Sequence, residues 1–216
     1  RTPELHIALL DEWEDKIEKL ANNTIPENVT SISGVPTWTL VLIKRILEMT
    51  GKDCLLDVWP SLELYIHGGV SFTPYREQFR KLIGGDINYL EMYNASEGFF
   101  AAQDYPGEDG MLLFTNHGIF MEFMPVEEYG KPNPKTVGLG KVVPEKNYAL
   151  VISTNGGLWR YLLGDTIQFT SLKPYRIRVS GRLKHYINAF GEEVIVDNAD
   201  KAIVSAAEKS GAVVND

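Results

Sequence analysis

The sequence is short of the residues that most often announce a function. Its one cysteine, Cys54, cannot form an internal disulfide. The four histidines, His6, His67, His117 and His185, stand far apart, and no HExxH, CxxC or GxSxG pattern occurs, so neither a zinc hydrolase nor a serine-nucleophile esterase is supported. Each histidine is expected to be an ordinary surface or hydrogen-bonded residue. No signal peptide and no apolar run of membrane-spanning length appears, which sets the expectation of a cytoplasmic protein with no membrane partner. Without a secretory signal the sequons at Asn22, Asn28 and Asn94 carry no weight. Positive charge is scarce as well: 21 Lys and Arg against 29 Asp and Glu leave a net charge of −8, which repels a phosphate backbone. Nucleic acid is not expected as a partner.

What is present is a globular composition. The 216 residues are 44% hydrophobic, enough for a substantial core in one domain or two small ones. Arg1 rather than Met opens the chain, and the sequence reads as an internal piece of a longer protein. Leu5, Leu9, Trp13, Ile17 and Leu20 recur at helical spacing and predict one amphipathic helix with a buried face. Val29 to Gly34 reads as a loop. Pro36 suits a first helical turn, Leu40, Ile43 and Leu47 continue the period, and Gly51 supplies a stop, predicting a helix over 36–50. A short buried strand is expected over Leu62 to His67, closed by Gly68-Gly69. A helix opened by Thr73-Pro74 and stopped by Gly84-Gly85 follows, then a strand over Ile87 to Tyr93. Strand, helix and strand with short links is the pattern of a parallel crossover in an α/β layer.

Beyond Gly98 the texture changes to short apolar runs, Met111 to Phe114, Ile119 to Met124, Ala149 to Ser153, Leu158 to Leu163, Ile167 to Phe169 and Ile177 to Val179. Turns such as Asn116-His117-Gly118 and Asn155-Gly156-Gly157 separate them, so this half is expected to be antiparallel β. Tyr129 to Pro144 reads as an exposed loop, and its Gly138-Leu139-Gly140-Lys141 lacks the spacing of a phosphate-binding loop. A hairpin over Tyr186 to Val196 and a helix from about Asp197 to Lys209 complete the reading.

Three clusters could carry chemistry. Leu90 to Gly98 presents Tyr93, Ser96 and Glu97 at the carboxyl end of a predicted strand, where open α/β sheets bind ligands. An aromatic for a base, a hydroxyl for a phosphate oxygen and a carboxylate for Mg²⁺ are together the needs of a nucleotide; a polar turn capped by Ser96 would also explain the segment. Leu158 to Asp165 ends an aromatic-rich strand on Gly164-Asp165, and Asp165 could accept two hydrogen bonds from a ribose diol or be a turn aspartate. Val179 to His185 places Gly181, Arg182 and Lys184 at the junction with the last hairpin, either as a hinge or as an ordinary linker.

In this order and spacing the clusters resemble the adenylate-forming superfamily of acyl-CoA synthetases, luciferases and peptide-synthetase adenylation domains. Tyr93 to Gly98 resembles its Tyr-Gly-x-Thr-Glu segment with Ser96 for Thr, Arg160 to Asp165 its Tyr-Arg-x-Gly-Asp, and Gly181-Arg182 its Gly-Arg hinge. His67-Gly68-Gly69-Val70 is similar to the Gly-Gly loop that passes the adenine. Gly34 to Trp38, His67 to Arg76 and Lys184 to Val196 are worded like the acyl acid–amido synthetases, whose plant members conjugate auxin and jasmonate, and most like the bacterial members of that family. The resemblance implies that Tyr93 flanks the adenine, that Ser96 touches the α-phosphate, and that Glu97 binds Mg²⁺. It further implies that Asp165 holds the ribose, that Arg182 lies near the ribose or phosphate, that Lys184 is the hinge, and that Gly68-Gly69 line the nucleotide. Val35 and Trp38 are candidate walls for the acyl group, with core packing the alternative.

The implied fold is α/β, a strand-helix-strand layer (1–103) followed by an antiparallel, distorted barrel-like subdomain (104–180) and the start of a mobile lid (181–216). The implied activity is that of a ligase using ATP and Mg²⁺ to activate a carboxylic acid and pass it to an amino acid or another amine. The family's Ser/Thr/Gly-rich phosphate loop and its lid lysine have no counterpart in these residues, so the chain alone is expected to be inactive. An acyl-CoA ligase shares every nucleotide residue named, and a non-catalytic nucleotide-binding module stays open.

Overall fold

The computed structural model describes residues 3–108, 110–183, 187–189, 192–194, 205, 206 and 209. They fall into two compact units, one up to Leu90 and one from Glu91. The first contains α1 (Leu5–Ala8), α2 (Trp13–Thr24), β1 (Ser31–Ser33), α3 (Pro36–Thr50), β2 (Leu64–His67), α4 (Arg76–Ile83) and the start of β3 (Asn88–Ala95).

The helix expected from Leu5 to Leu20 is two helices. Leu9 leaves helical geometry and Glu12 is extended, so α1 is a single turn and Leu5 and Leu9 are 73% and 68% exposed; the buried positions are Ile7, Ile17, Ala21 and Thr24. Helix α3 has the expected bounds. Pro36 needs no N–H partner in the first turn, and Gly51 closes the helix at φ +65°, its N–H bonded to the Leu47 carbonyl. The expected loop before α3 contains β1, which pairs in parallel with β2, so α3 is itself a crossover. Short β2 is followed by a 3₁₀ turn at Thr73–Tyr75, by α4 and by β3, whose Asn88 N–H bonds the Glu63 carbonyl at 2.8 Å. Ala21, Leu40, Ile43, Ile46, Trp59, Tyr65, Phe79 and Ile83 form the core of this unit.

The second unit is antiparallel throughout, as expected. After β3 come β4 (Gly98–Ala102), β5 (Met111–Leu113), β6 (Ile119–Pro125), β7 (Asn147–Thr154), β8 (Tyr161–Leu172) and β9 (Tyr175–Arg182), in the spatial order β3-β4-β5-β9-β8-β7-β6. Strand β4 was not anticipated. The two runs expected at 158–163 and 167–169 belong to one long β8 that begins only at Tyr161. The segment 129–144 is less exposed than expected, since Val137 bridges to Phe123 and Val142 is buried.

Tyr93 on β3 and Asp165 on β8 are four strand steps apart in this order. At about 4.8 Å per step a flat sheet would hold their backbones nearly 20 Å apart. Their side chains nevertheless hydrogen-bond at 3.0 Å, so the sheet curls on itself around Phe100, Met111, Phe123, Leu150, Ile167 and Phe169. Residues 187–189 and 192–194 form the expected hairpin, β10 (Ile187–Ala189) and β11 (Glu192–Val194). Most of the helix expected from Asp197 lies outside the described residues. No helix among the described residues is long and apolar enough to cross a membrane.

Candidate nucleotide site

The site is built where the second unit's strands are least regular. Against β7, strand β8 fits Leu163, Gly164 and Asp165 into the space of Leu150 alone, because Leu162 pairs with Val151 and Thr166 with Ala149. Gly164 takes φ +92°, a conformation that a side chain would strain. Against β9 the register shifts again. Thr166 pairs with Gly181 and Ile167 with Val179, which leaves Ser180 as the extra residue; its Oγ donates to Thr166 Oγ1 at 3.0 Å in the interior. Bulges re-aim side chains next to them. Here they bring Arg182 opposite Asp165.

The Asp165 carboxylate is nearly buried, its side chain 11% exposed. Its Oδ2 accepts the Tyr93 hydroxyl proton at 3.0 Å, and its Oδ1 accepts Arg182 Nε–H at 2.8 Å. The Tyr93 ring, expected to be a flat wall for a base, is 6% exposed and packs on Phe100 at 5.0 Å between centroids; the group it extends toward Asp165 is its hydroxyl. Burial first, and then the Asp165 charge, hold that hydroxyl's pKa far above the tyrosine range, with Arg182 opposing and Glu97 adding to the shift. The four side chains thus share one electrostatic neighbourhood.

Ser96 and Glu97 are not at the end of a parallel strand. Strand β3 runs two residues past Tyr93, Ala95 pairs with Gly98, and Ser96-Glu97 is the two-residue turn of the β3–β4 hairpin. Ser96 is exposed and Glu97 half-buried. Among the described residues no three His, Cys, Asp or Glu side chains gather into a metal site, and Glu97 carries no ion pair. One free carboxylate fits Mg²⁺ delivered on a triphosphate, since that ion takes one or two carboxylates and fills its other positions with phosphate oxygens and water.

Arg160 is not part of this group. At φ +46° it turns to Glu122, bonding Oε2 at 3.0 Å and Thr136 Oγ1 at 3.2 Å. Gly181-Arg182, read as a hinge, are the last paired residues of β9, and Leu183 beyond them is buried against Met124, Val126, Ala149 and Val151. Lys184 and His185 lie outside the described residues.

In the first unit, Gly69 has φ +85° and a Cβ there would meet Val35 Cγ2 at 3.4 Å, so the Gly-Gly turn passes close to the start of α3. Trp38 is 55% exposed, which excludes full core packing, and its indole lies 4.3 Å from that of Trp13. Sequence reading missed Trp13 as its partner. It also missed His67, which is 4% exposed with Nδ1 unpartnered, not on the surface or hydrogen-bonded at that atom as expected. The Tyr93–Asp165 bond was beyond sequence reading, since 72 positions separate the two.

The model of the GH3 family N-terminal domain matches residues 1–87, and that of the GH3 family central domain matches residues 112–182. The indole-3-acetic acid-amido synthetase GH3.8 of Oryza sativa subsp. indica is 32% identical over 179 residues, which are 73% of this chain and 29% of that protein. The chain thus spans less than a third of the length of this relative. Among solved structures, the GH3.15 acyl acid amido synthetase aligns with a TM-score of 0.70 at 17% identity, over 94% of this chain and 46% of the other. A 2-hydroxyisobutyryl-CoA ligase in the postadenylation state aligns with a TM-score of 0.64 at 15% identity, over 88% and 40%. At these identities the likeness is one of fold, that of adenylate-forming ligases.

Proposed function

The chain belongs to the GH3 family, and from that premise we propose that the protein it represents is an ATP-dependent ligase joining a carboxylic acid to the amine of an amino acid. In the first step a carboxylate oxygen attacks the α-phosphorus of ATP and the bond to the bridging oxygen breaks, giving acyl-AMP and pyrophosphate. In the second, the amine nitrogen attacks the acyl carbon, AMP leaves and the nitrogen gives up a proton. A free carboxylate is a poor electrophile and AMP a good leaving group, which is the reason for two steps.

The observation that carries this reading is the convergence of Asp165, Tyr93 and Arg182 at the bulged part of the curled sheet, with Glu97 in range. Asp165 accepts hydrogen bonds from the ribose hydroxyls, Arg182 stands beside the sugar and phosphate, and Ser96 meets the α-phosphate. Glu97 holds Mg²⁺, which when bound offsets charge on the phosphates. Gly68-Gly69 let the backbone run close to the base, Val35 and Trp38 face the acyl group, and Lys184 serves the hinge. Amine as the acceptor is supported by the family match.

Acid-dependent exchange of pyrophosphate into ATP by the full-length protein tests the first step, and hydroxamate or amide formation against thioester formation tests the second. Exchange with at least one acid, followed by transfer to amines in preference to coenzyme A, is expected. No exchange across a broad panel of carboxylic acids would exclude adenylation. Thioester in place of amide would move the protein to the CoA-ligase reaction, whose structural relatives share this fold.

A further inference from the structure

Asp165 is held by two donors of different character. Arg182 reaches Oδ1 from the solvent side, with 66% of its side chain exposed, so this arm is hydrated and free to exchange partners. Tyr93 reaches Oδ2 from the core side: its ring is clamped against Phe100, and it belongs to the cluster with Met111, Phe123 and Ile167. Against β7 the backbone at Asp165 is bulged, and against β9 its pairing with Arg182 lies beside the register shift between Thr166 and Ile167, so regular pairing on both sides does not set the direction of its carboxylate.

A carboxylate has about four lone-pair sites. With one site on each oxygen occupied, one on each remains, and the direction in which the two point is fixed only if the carboxylate plane is fixed. A vicinal diol needs both at once. We infer that Tyr93 is a positioning residue for the ribose: its hydroxyl locks the Asp165 carboxylate in the plane that accepts the 2′- and 3′-hydroxyls together. This rests on the assignment of Asp165 to the ribose. The role differs from that of an aromatic wall for the base, because it resides in the hydroxyl and acts through Asp165. Burial beside a carboxylate keeps that hydroxyl protonated, and therefore a donor, throughout the working pH range.

The test is the ratio of dissociation constants for ATP and 2′,3′-dideoxy-ATP, measured by calorimetry on the full-length protein and three variants. Wild type is expected to favour ATP clearly, and Asp165→Asn to lose most of that preference. Tyr93→Phe retains the ring and removes the hydroxyl. It is expected to weaken ATP about fivefold to tenfold while leaving dideoxy-ATP within about twofold, because the bond it removes orients Asp165 and does not itself touch the nucleotide. Phe100→Leu disturbs the same packing without touching a polar group, and its ratio is expected to stay at the wild-type value even if its melting temperature falls. If Tyr93→Phe retains the wild-type ratio while Asp165→Asn loses it, Tyr93 does not position the carboxylate, and Asp165 remains the ribose ligand. If wild type itself fails to distinguish ATP from dideoxy-ATP, the assignment of Asp165 to the ribose is wrong.

Discussion

Among the described residues up to Leu90, three buried polar side-chain atoms have no hydrogen-bond partner: His67 Nδ1, Tyr89 Oη and Arg45 Nε. Among the described residues from Glu91 onward Asp165, Thr166, Gln168, Arg176 and Ser180 are all buried, and each is bonded to another side chain; Asn147 Oδ1 is the exception. The first unit also bonds buried polar groups, Tyr65 Oη to the Gly34 carbonyl at 2.9 Å and Trp59 Nε1 to the Thr24 carbonyl at 3.0 Å, but it leaves the ring of His67 unbonded at Nδ1 inside an aromatic nest. His67 lies 4.2 Å from Phe72, and Tyr65 stacks on Phe79 at 4.8 Å. The second lays its polar groups across neighbouring strands, as in Gln168, whose amide oxygen takes two N–H groups from Arg178 while Arg178 also pairs with Glu145. The difference separates two uses of a buried polar group. A bonded ladder fixes strand register and can present a carboxylate in a set direction, whereas an unbonded ring contributes packing and leaves a cost of about 1–3 kcal/mol for each orphaned atom.

The largest effects should come from the apolar cores and should be alike in the two units, which makes them the baseline for the contrast. Phe79 and Phe169 are both fully buried, and Phe79→Ala and Phe169→Ala should each cost about 3–5 kcal/mol in the unit that holds the residue. Amide hydrogen exchange reads this locally: protection should fall in α3 and α4 for the first and in β7 to β9 for the second. Equal loss across all elements from either variant would show that the two units unfold as one.

Next in size is an asymmetry inside the bonded ladder. Arg176 is 10% exposed and grips Asp104 through both terminal nitrogens, with Glu108 more distant at 3.8 Å, whereas Asp104 is 37% exposed. Asp104→Ala strands a buried guanidinium and should cost about 2–3 kcal/mol, while Arg176→Met leaves a carboxylate that water can reach and should cost about 1 kcal/mol. Urea unfolding of the two variants gives the comparison. If Arg176→Met is the more damaging, the pair is held by aliphatic packing of the arginine and not by its charge.

How much of this was legible depended on whether a signal was local. Helix α3 could be bounded because Pro36 and Gly51 mark both of its ends, whereas the break between α1 and α2 could not, since Leu5, Leu9 and Trp13 continue a helical period and no Pro or Gly interrupts 9–12. Strand β4 was invisible because Gly-Phe-Phe-Ala-Ala has no alternation. The candidate site was legible as three separate motifs. The roles inside it were not, because the Tyr93–Asp165 bond depends on the curl of the sheet, and Arg182 faces Asp165 only through two register shifts that no local pattern encodes.

The sharpest test of the contrast is the titration of His67. Burial, and after it the positive charge of Arg76, lowers its pKa from the ordinary 6.5 to about 4, so the folded protein carries it neutral. In the unfolded chain it binds a proton below about pH 6.5. Between pH 6.5 and 4 the unfolded state therefore holds more protons, so stability rises with pH and falls on acidification through that window. The rings packed on His67 are Tyr65 on β2 and Phe72; Arg76 on α4, which lies over Phe72 and over Tyr89 on β3, is the charged group that acts on it, in the same direction as burial. Taking the first unit from pH 7 to 5 should then cost about 1–2 kcal/mol. His67→Gln removes the titrating ring, and its stability should be flatter over the same range by that amount, whatever the substitution does to stability at pH 7. Chemical denaturation at half-unit steps of pH measures both slopes. Parallel curves for the two proteins would mean that His67 Nδ1 finds a proton-accepting or solvent partner in solution, and the contrast between the unbonded ring of the first unit and the bonded ladder of the second would then fail at its main residue.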